Sequence, residues 1–160
     1  MKRMYLTREF CVLLMCLSIF CISANSVAQA AEKNIDSVEF LNSAASEGMP
    51  FSDGVRVGNI IFLSGQVGYL KKTGKIVEGG IKAETRQVLD NIKAIVESKG
   101  LQMKDIVKCT AMLADIAEWP AFNEVYRTYF TPPFPARSAF GVSGLAFGAR
   151  VELECIAAIR

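Results

Sequence analysis

The run Val151-Glu152-Leu153-Glu154-Cys155-Ile156-Ala157 constrains the fold more than any other stretch of the chain. Apolar and acidic side chains alternate. A strand over residues 151–159 therefore carries Val151, Leu153 and Cys155 on one face and Glu152 and Glu154 on the other. Such a strand requires a sheet with one face closed by an apolar core. Two carboxylates on the opposite face are costly if buried alone. That face calls for a lysine or arginine at an interface, or for a chemistry that uses a carboxyl group with a raised pKa.

The rest of the chain supplies the layers such a sheet needs. A second alternating strand is predicted over residues 106–113, with Val107, Cys109, Ala111 and Leu113 on one side and Lys108, Thr110 and Met112 on the other. Residues 38–41 suit an edge strand, and residues 43–50 a loop. Val55-Arg56-Val57, the turn Gly58-Asn59 and residues 60–64 read as a hairpin. Residues 71–75 read as an exposed, charged turn, and a short strand is predicted over 139–142.

Residues 81–99 predict an amphipathic helix with Val88, Leu89, Ile92, Ile95 and Val96 on one face and Gly100 as its stop. A second helix over about residues 118–130 has Pro120 in its first turn, where proline is tolerated. Its stripe of Phe122, Val125, Tyr126 and Tyr129 reads as core. The order β-β-α-β-α-β-β gives an α+β fold, a mixed sheet with two helices packed on one face. The other face, with Thr110, Met112, Glu152 and Glu154, suits a subunit interface.

The first thirty residues stand apart. Lys2, Arg3 and Arg8 precede an uncharged apolar run over residues 10–24, and Ala28-Gln29-Ala30 is a small-x-small cleavage site. This is the pattern of a secretory signal peptide cut after Ala30. The run is shorter than the roughly 20 residues of a membrane span, which leaves an uncleaved anchor as the alternative, and no lipobox precedes Cys11, Cys16 or Cys21. A periplasmic or secreted protein is expected, with no membrane attachment after cleavage. Residues 31–37 are polar and expected to fray, leaving residues 38–160 as one domain. The whole chain has 18 basic and 16 acidic side chains; removing Lys2, Arg3, Arg8 and Glu9 leaves 15 of each. A neutral mature chain gives no reason to expect nucleic-acid binding. Cys109 and Cys155 both lie in apolar alternating runs, and two buried thiols are favoured over a disulfide. The chain has no histidine, which removes Ser-His and Cys-His nucleophilic pairs and the usual zinc sites.

The candidate chemistry centres on Phe134-Pro135-Ala136-Arg137-Ser138. Pro133 and Pro135 stiffen the approach to Arg137, and a guanidinium on a stiff mount suits bidentate capture of a carboxylate. Glu152 is the candidate base or acid. The short loop between residues 142 and 151 suggests that the strands of Arg137 and Glu152 pair as a hairpin, so that the two groups converge. Ser64 and the Gly65 backbone are candidate hydrogen-bond donors, and Asn123 is a polar group early in the second helix. Without a histidine to activate it, Ser64 is no nucleophile.

Together these segments resemble a known family. Val57-Gly58-Asn59-Ile60-Ile61-Phe62-Leu63-Ser64-Gly65-Gln66, Thr85-Arg86-Gln87-Val88-Leu89-Asp90-Asn91-Ile92-Lys93-Ala94, Phe122-Asn123-Glu124-Val125-Tyr126, Phe134 to Ser138 and Val151 to Ala157 resemble the RidA/YjgF proteins, some of which are called L-PSP endoribonucleases. The resemblance spans about residues 36–160. It implies a chorismate-mutase-like fold, a homotrimer with clefts between subunits, and hydrolysis of enamine and imine intermediates such as 2-iminobutanoate and 2-iminopropanoate to 2-oxo acids and ammonia. It implies no metal or organic cofactor. Arg137 matches the arginine that holds the substrate carboxylate and Glu152 the glutamate that positions water. Ser64, Gly65, Phe51, Asn123 and Ala139 fall at substrate-binding positions. Three residues depart from the pattern. Phe51 stands where many members have tyrosine, Ala139 where some have cysteine, and Gly141 where an acidic residue is common. The alternative is a non-catalytic binder of small carboxylic acids. An RNA-cleaving activity, as some relatives are labelled, is disfavoured by the neutral charge, the missing histidine and the export signal.

Overall fold

The alternating strand behaves as its pattern requires. In the computed structural model, which describes residues 38–43 and 46–159, it is the ninth strand, β9 (Val151–Ala158), with Val151, Leu153, Cys155 and Ala157 buried. The signal peptide, its cleavage after Ala30 and the frayed segment 31–37 lie outside the described residues.

Strands β1 (Val38–Leu41), β2 (Gly54–Val57) and β3 (Ile60–Leu63) form an antiparallel meander, and β9 joins β3 antiparallel. On its other side β9 pairs antiparallel with β7 (Ile106–Leu113). At the far edge β8 (Ala136–Gly141) runs parallel to β7. The sheet order is β1-β2-β3-β9-β7-β8, with the short β4 (Gln66–Val67) also paired to β9. Two further short strands, β5 (Tyr69–Leu70) and β6 (Lys75–Ile76), form a separate small hairpin around the charged turn. This is the mixed sheet of an α+β fold.

Helices α1 (Gly80–Ser98) and α2 (Trp119–Tyr129) cover one face. Val88, Leu89, Ile92 and Val96 of α1 are buried, as their spacing predicts. Gly100, at φ 74°, turns the chain out of α1. Its N–H donates to Glu97 O and that of Leu101 to Val96 O, each at 3.0 Å, a Schellman closure that only a left-handed residue permits. Pro120 sits in the first turn of α2.

Four expectations need correction. Val107 is exposed and Ile106 buried, because the β7–β9 register shifts between Ile106 and Lys108. A bulge there moves one residue to the opposite side. Strand β8 begins at Ala136 rather than Ala139, so Arg137 lies within the sheet. Strands β8 and β9 do not form a hairpin: β7 lies between them. Finally, Cys109 and Cys155 are buried but joined in a disulfide, with Cα atoms 4.1 Å apart. They are directly opposed in the β7–β9 register, so both side chains leave the same face.

Candidate active site

Arg137 stands directly opposite Cys109 in the parallel β7–β8 ladder, so its side chain rises on the helix-covered face. There it meets α2. The guanidinium carbon lies 4.5 Å from the ring centre of Tyr126, 4.6 Å from that of Trp119 and 5.5 Å from that of Phe122. Three aromatic faces bed one cation, an arrangement that favours the charge through the ring quadrupoles. Burial lowers the Arg137 pKa and the nearby Arg127 adds to the effect, while Tyr126 opposes it; a guanidinium starting so high remains a cation. Among the described residues no carboxylate pairs with Arg137.

The surroundings are also poor in negative charge. Asn123, Tyr126, Arg127, Phe134, Pro135 and Arg137 line a cavity of about 430 Å³. The Tyr126 hydroxyl is buried and has no hydrogen-bond partner among the described residues, and burial raises its pKa. Two cations, an amide and an unsatisfied phenol around one cavity suit an anionic ligand with acceptor oxygens.

Glu152 occupies the opposite face. It is paired in register with Met112 on β7 and Val67 on β4, and it is partly buried. Its carboxylate packs directly on Gly65, so closely that a side chain on residue 65 would collide with Glu152 Oε1. Glycine is required there for the close approach. Burial raises the Glu152 pKa, and the like charge of Glu154 raises it further. Both effects disfavour the anion and make Glu152 a better proton acceptor than an ordinary carboxylate.

Ser64 ends the same hairpin. Its hydroxyl donates to Ser52 O at 2.6 Å, and its N–H donates to Asp53 O at 3.0 Å. The hydroxyl hydrogen is therefore committed to the loop, while its oxygen remains free to accept. Ser64 and Phe51 line one wide cavity of about 820 Å³ together with Phe40, Met49 and Pro50.

The predicted residues thus fall into two groups. Arg137 and Asn123 share one cavity, with Ala139 two residues further along β8 on the same face. Ser64, Gly65, Phe51 and Glu152 gather around the first hairpin and the outer face of β9. Within one chain the groups do not converge: they lie on opposite faces of the sheet, with β7 between their strands. Sequence reasoning missed Trp119, Tyr126 and Arg127 as site residues. Phe122, Val125 and Tyr126 of the α2 stripe are core, as their spacing says, while Tyr129 is only partly buried; the aromatic side of α2 is also the bed of Arg137.

The chain is similar to known proteins along most of its length. The Endoribonuclease L-PSP family profile matches residues 42–159. The chain is 38% identical over 138 residues to Reactive Intermediate Deaminase A, chloroplastic, of Arabidopsis thaliana, covering 86% of this chain and 70% of that protein. It is 44% identical over 110 residues to a 2-iminobutanoate/2-iminopropanoate deaminase of Dermatophagoides farinae, covering 69% of this chain and 86% of that protein. Among solved structures, the YjgF gene product of E. coli superposes with a TM-score of 0.70 at 38% identity, covering 76% of this chain and 99% of that one.

Proposed function

The chain belongs to the Endoribonuclease L-PSP family, the RidA/YjgF proteins, and on that premise we propose that it hydrolyses small 2-imino acids to 2-oxo acids and ammonia. The observation that carries this reading is Arg137: a bedded guanidinium without a carboxylate partner among the described residues, facing a cavity of about 430 Å³. The relatives named as imine deaminases support the choice of reaction.

In the proposed reaction Arg137 holds the substrate carboxylate. The iminium carbon is already electrophilic, so no strong nucleophile is required. Glu152 orients a water and takes its proton as the water oxygen bonds to that carbon, giving a carbinolamine. Glu152 then returns the proton to nitrogen, the C–N bond breaks, and ammonia leaves as the hydroxyl gives its proton to Glu152 and becomes the carbonyl. Anchoring and orientation supply several kcal/mol through effective molarity, and a positioned base adds roughly 10²–10⁴-fold.

Because Arg137 and Glu152 occupy opposite faces, the working site combines Arg137 of one copy with Glu152 of a neighbour, in a homotrimer with sites in the clefts. The exposed outer face supports this assembly. Phe40, Phe62 and Phe140 are 67%, 48% and 46% exposed there, more apolar surface than a solvated sheet face usually shows. Export past the inner membrane is part of the proposal, supported by the leader-like residues 1–30 and by a disulfide of the kind that persists in oxidising compartments.

The test is release of ammonia from freshly generated 2-iminobutanoate. The purified protein should accelerate it over buffer, and Arg137→Ala should lower kcat/KM by about 10²-fold or more, the loss expected when a charged anchor is removed. Full activity in Arg137→Ala, or no acceleration by the unaltered protein, refutes the reading. A second reading, a carboxylate binder without turnover, is favoured by Phe51, which lacks the hydroxyl of the tyrosine common at that position. It is distinguished by measurable binding of a 2-oxo acid with no ammonia released.

A further inference from the structure

Beyond Arg137 along β8 lies a recess with a different chemistry. Ile116, Ala117, Trp119, Pro120 and Ala139 line about 500 Å³. None of them carries a charge, and the Trp119 indole N–H is the one polar side-chain group among them. The β7–β8 register places Arg137, Ala139 and Gly141 on one face of the strand, opposite Cys109, Ala111 and Leu113. Alternate residues of a strand recur about 6.6 Å apart, so the recess begins one such step from the base of the Arg137 side chain. Trp119 joins the two: its ring beds the guanidinium, with the guanidinium carbon 4.6 Å from its centre, and also walls the recess.

The floor is open because the residues on it are small. Ala139 contributes one methyl group. Gly141 contributes none, and a Cβ there would stand 3.4 Å from Ile116 Cβ, so any side chain at 141 would enter the space beside Ile116. The two cavities flanking Arg137 therefore divide the chemistry. The one with Asn123, Arg127 and the unpartnered Tyr126 hydroxyl offers polar partners; the other offers only hydrocarbon and an indole edge.

We infer that the Ile116–Trp119–Ala139 recess is the side-chain subsite for the carboxylate ligand held by Arg137, and that it selects 2-imino and 2-oxo acids with branched or aromatic apolar side chains over those with a methyl or ethyl group. The inference rests on Arg137 as the carboxylate anchor, as proposed above. A carboxylate on the guanidinium puts the ligand's third carbon within a few ångströms of the anchor. A longer apolar chain then has an apolar wall to follow, while a methyl group leaves the recess wet. The recess is shallow and open, and its apolar wall is more than an alanine-derived methyl group covers.

The single tryptophan of the chain reports on this directly, since Trp119 is the wall. The experiment titrates the purified protein with pyruvate, 2-oxobutanoate and 4-methyl-2-oxopentanoate, following Trp119 emission, and in parallel measures ammonia release from the corresponding imines. The expected result is a Kd for 4-methyl-2-oxopentanoate at least roughly tenfold below that for pyruvate, the scale of discrimination that added methylenes give in an apolar pocket. Ala139→Leu and, independently, Ala117→Phe on the exposed rim should reduce that ratio towards one. Two variants on different elements guard against one that misfolds. Equal Kd values for the acids, or a ratio untouched by both variants in folded protein, overturns the subsite even if imines are hydrolysed. A preserved ratio with no imine hydrolysis supports the subsite and refutes the deaminase reading instead. No binding of any acid overturns the subsite and its anchor together.

Discussion

Reducing the Cys109–Cys155 bond should destabilise the domain substantially, and the magnitude follows from where the bond sits. It closes a loop of 46 residues between two central strands. Loop-closure entropy for that separation is worth about 4 kcal/mol at 25 °C, at the upper end of the usual 2–4 kcal/mol. For a domain of about 120 residues, 1 kcal/mol shifts the melting temperature by roughly 4 °C. Reduction should therefore lower Tm by about 15 °C. Both sulfurs stay in the core, so the fold itself should survive at low temperature with unchanged far-ultraviolet dichroism. The assay is a thermal melt with and without reductant, combined with alkylation and peptide mapping at Cys109 and Cys155. Without reductant neither cysteine should take up label, even when unfolded. The double variant Cys109→Ala/Cys155→Ala should melt low and no longer respond to reductant. Labelling of both cysteines in unreduced, unfolded protein, or melts that agree within about 3 °C, would refute the reasoning.

Other expectations concern single groups. If Glu152 is the base, kcat/KM should fall as pH drops through its pKa, and that acid limb should lie above the ordinary carboxylate value of 4.5 because burial and Glu154 raise it; Glu154→Gln should move the limb to lower pH. Gly65→Ala should push the Glu152 carboxylate aside and cost about 10²-fold in kcat, the penalty of a misplacement near 1 Å, with Tm nearly unchanged because a side-chain end can yield. Glu84, buried under the loop before β9, accepts from Arg150 N at 2.7 Å; Glu84→Ala should cost about 2 kcal/mol by leaving that donor unpaired, measured by urea denaturation. Burial raises the Glu84 pKa, so its charge subtracts stability as pH rises through the folded value, and Glu84→Gln should flatten that decline.

Much of the fold could be read from local pattern, and the failures share a cause. Strand β9 and helix α1 announce themselves by period alone, and Gly100 by its position after the last apolar residue. Where a feature depends on a partner strand, pattern is silent. The bulge that exposes Val107 exists only in relation to β9. The short strands β4, β5 and β6 are too brief to show a period. The hairpin expected between the strands of Arg137 and Glu152 rested on nearness in sequence. Parallel strands need a long crossover, and α2, lying between β7 and β8, was the available sign that β8 would lie parallel beside β7 instead. The disulfide was missed for the same reason: that Cys109 opposes Cys155 is a fact of register. The site residues came from chemistry and resemblance, but their distribution over two faces could not, because a strand's neighbours decide which face a side chain shares.

That distribution has a genetic consequence. In the proposed assembly each site draws its anchor and its base from different chains, so a chain lacking Arg137 still brings Glu152, and a chain lacking Glu152 still brings Arg137. Two alleles that are each dead alone would then complement when expressed together. With random mixing in a ring of heterologous contacts, roughly a quarter of the sites would receive both intact residues. A protein whose two groups met within one chain would recover nothing from such a cross.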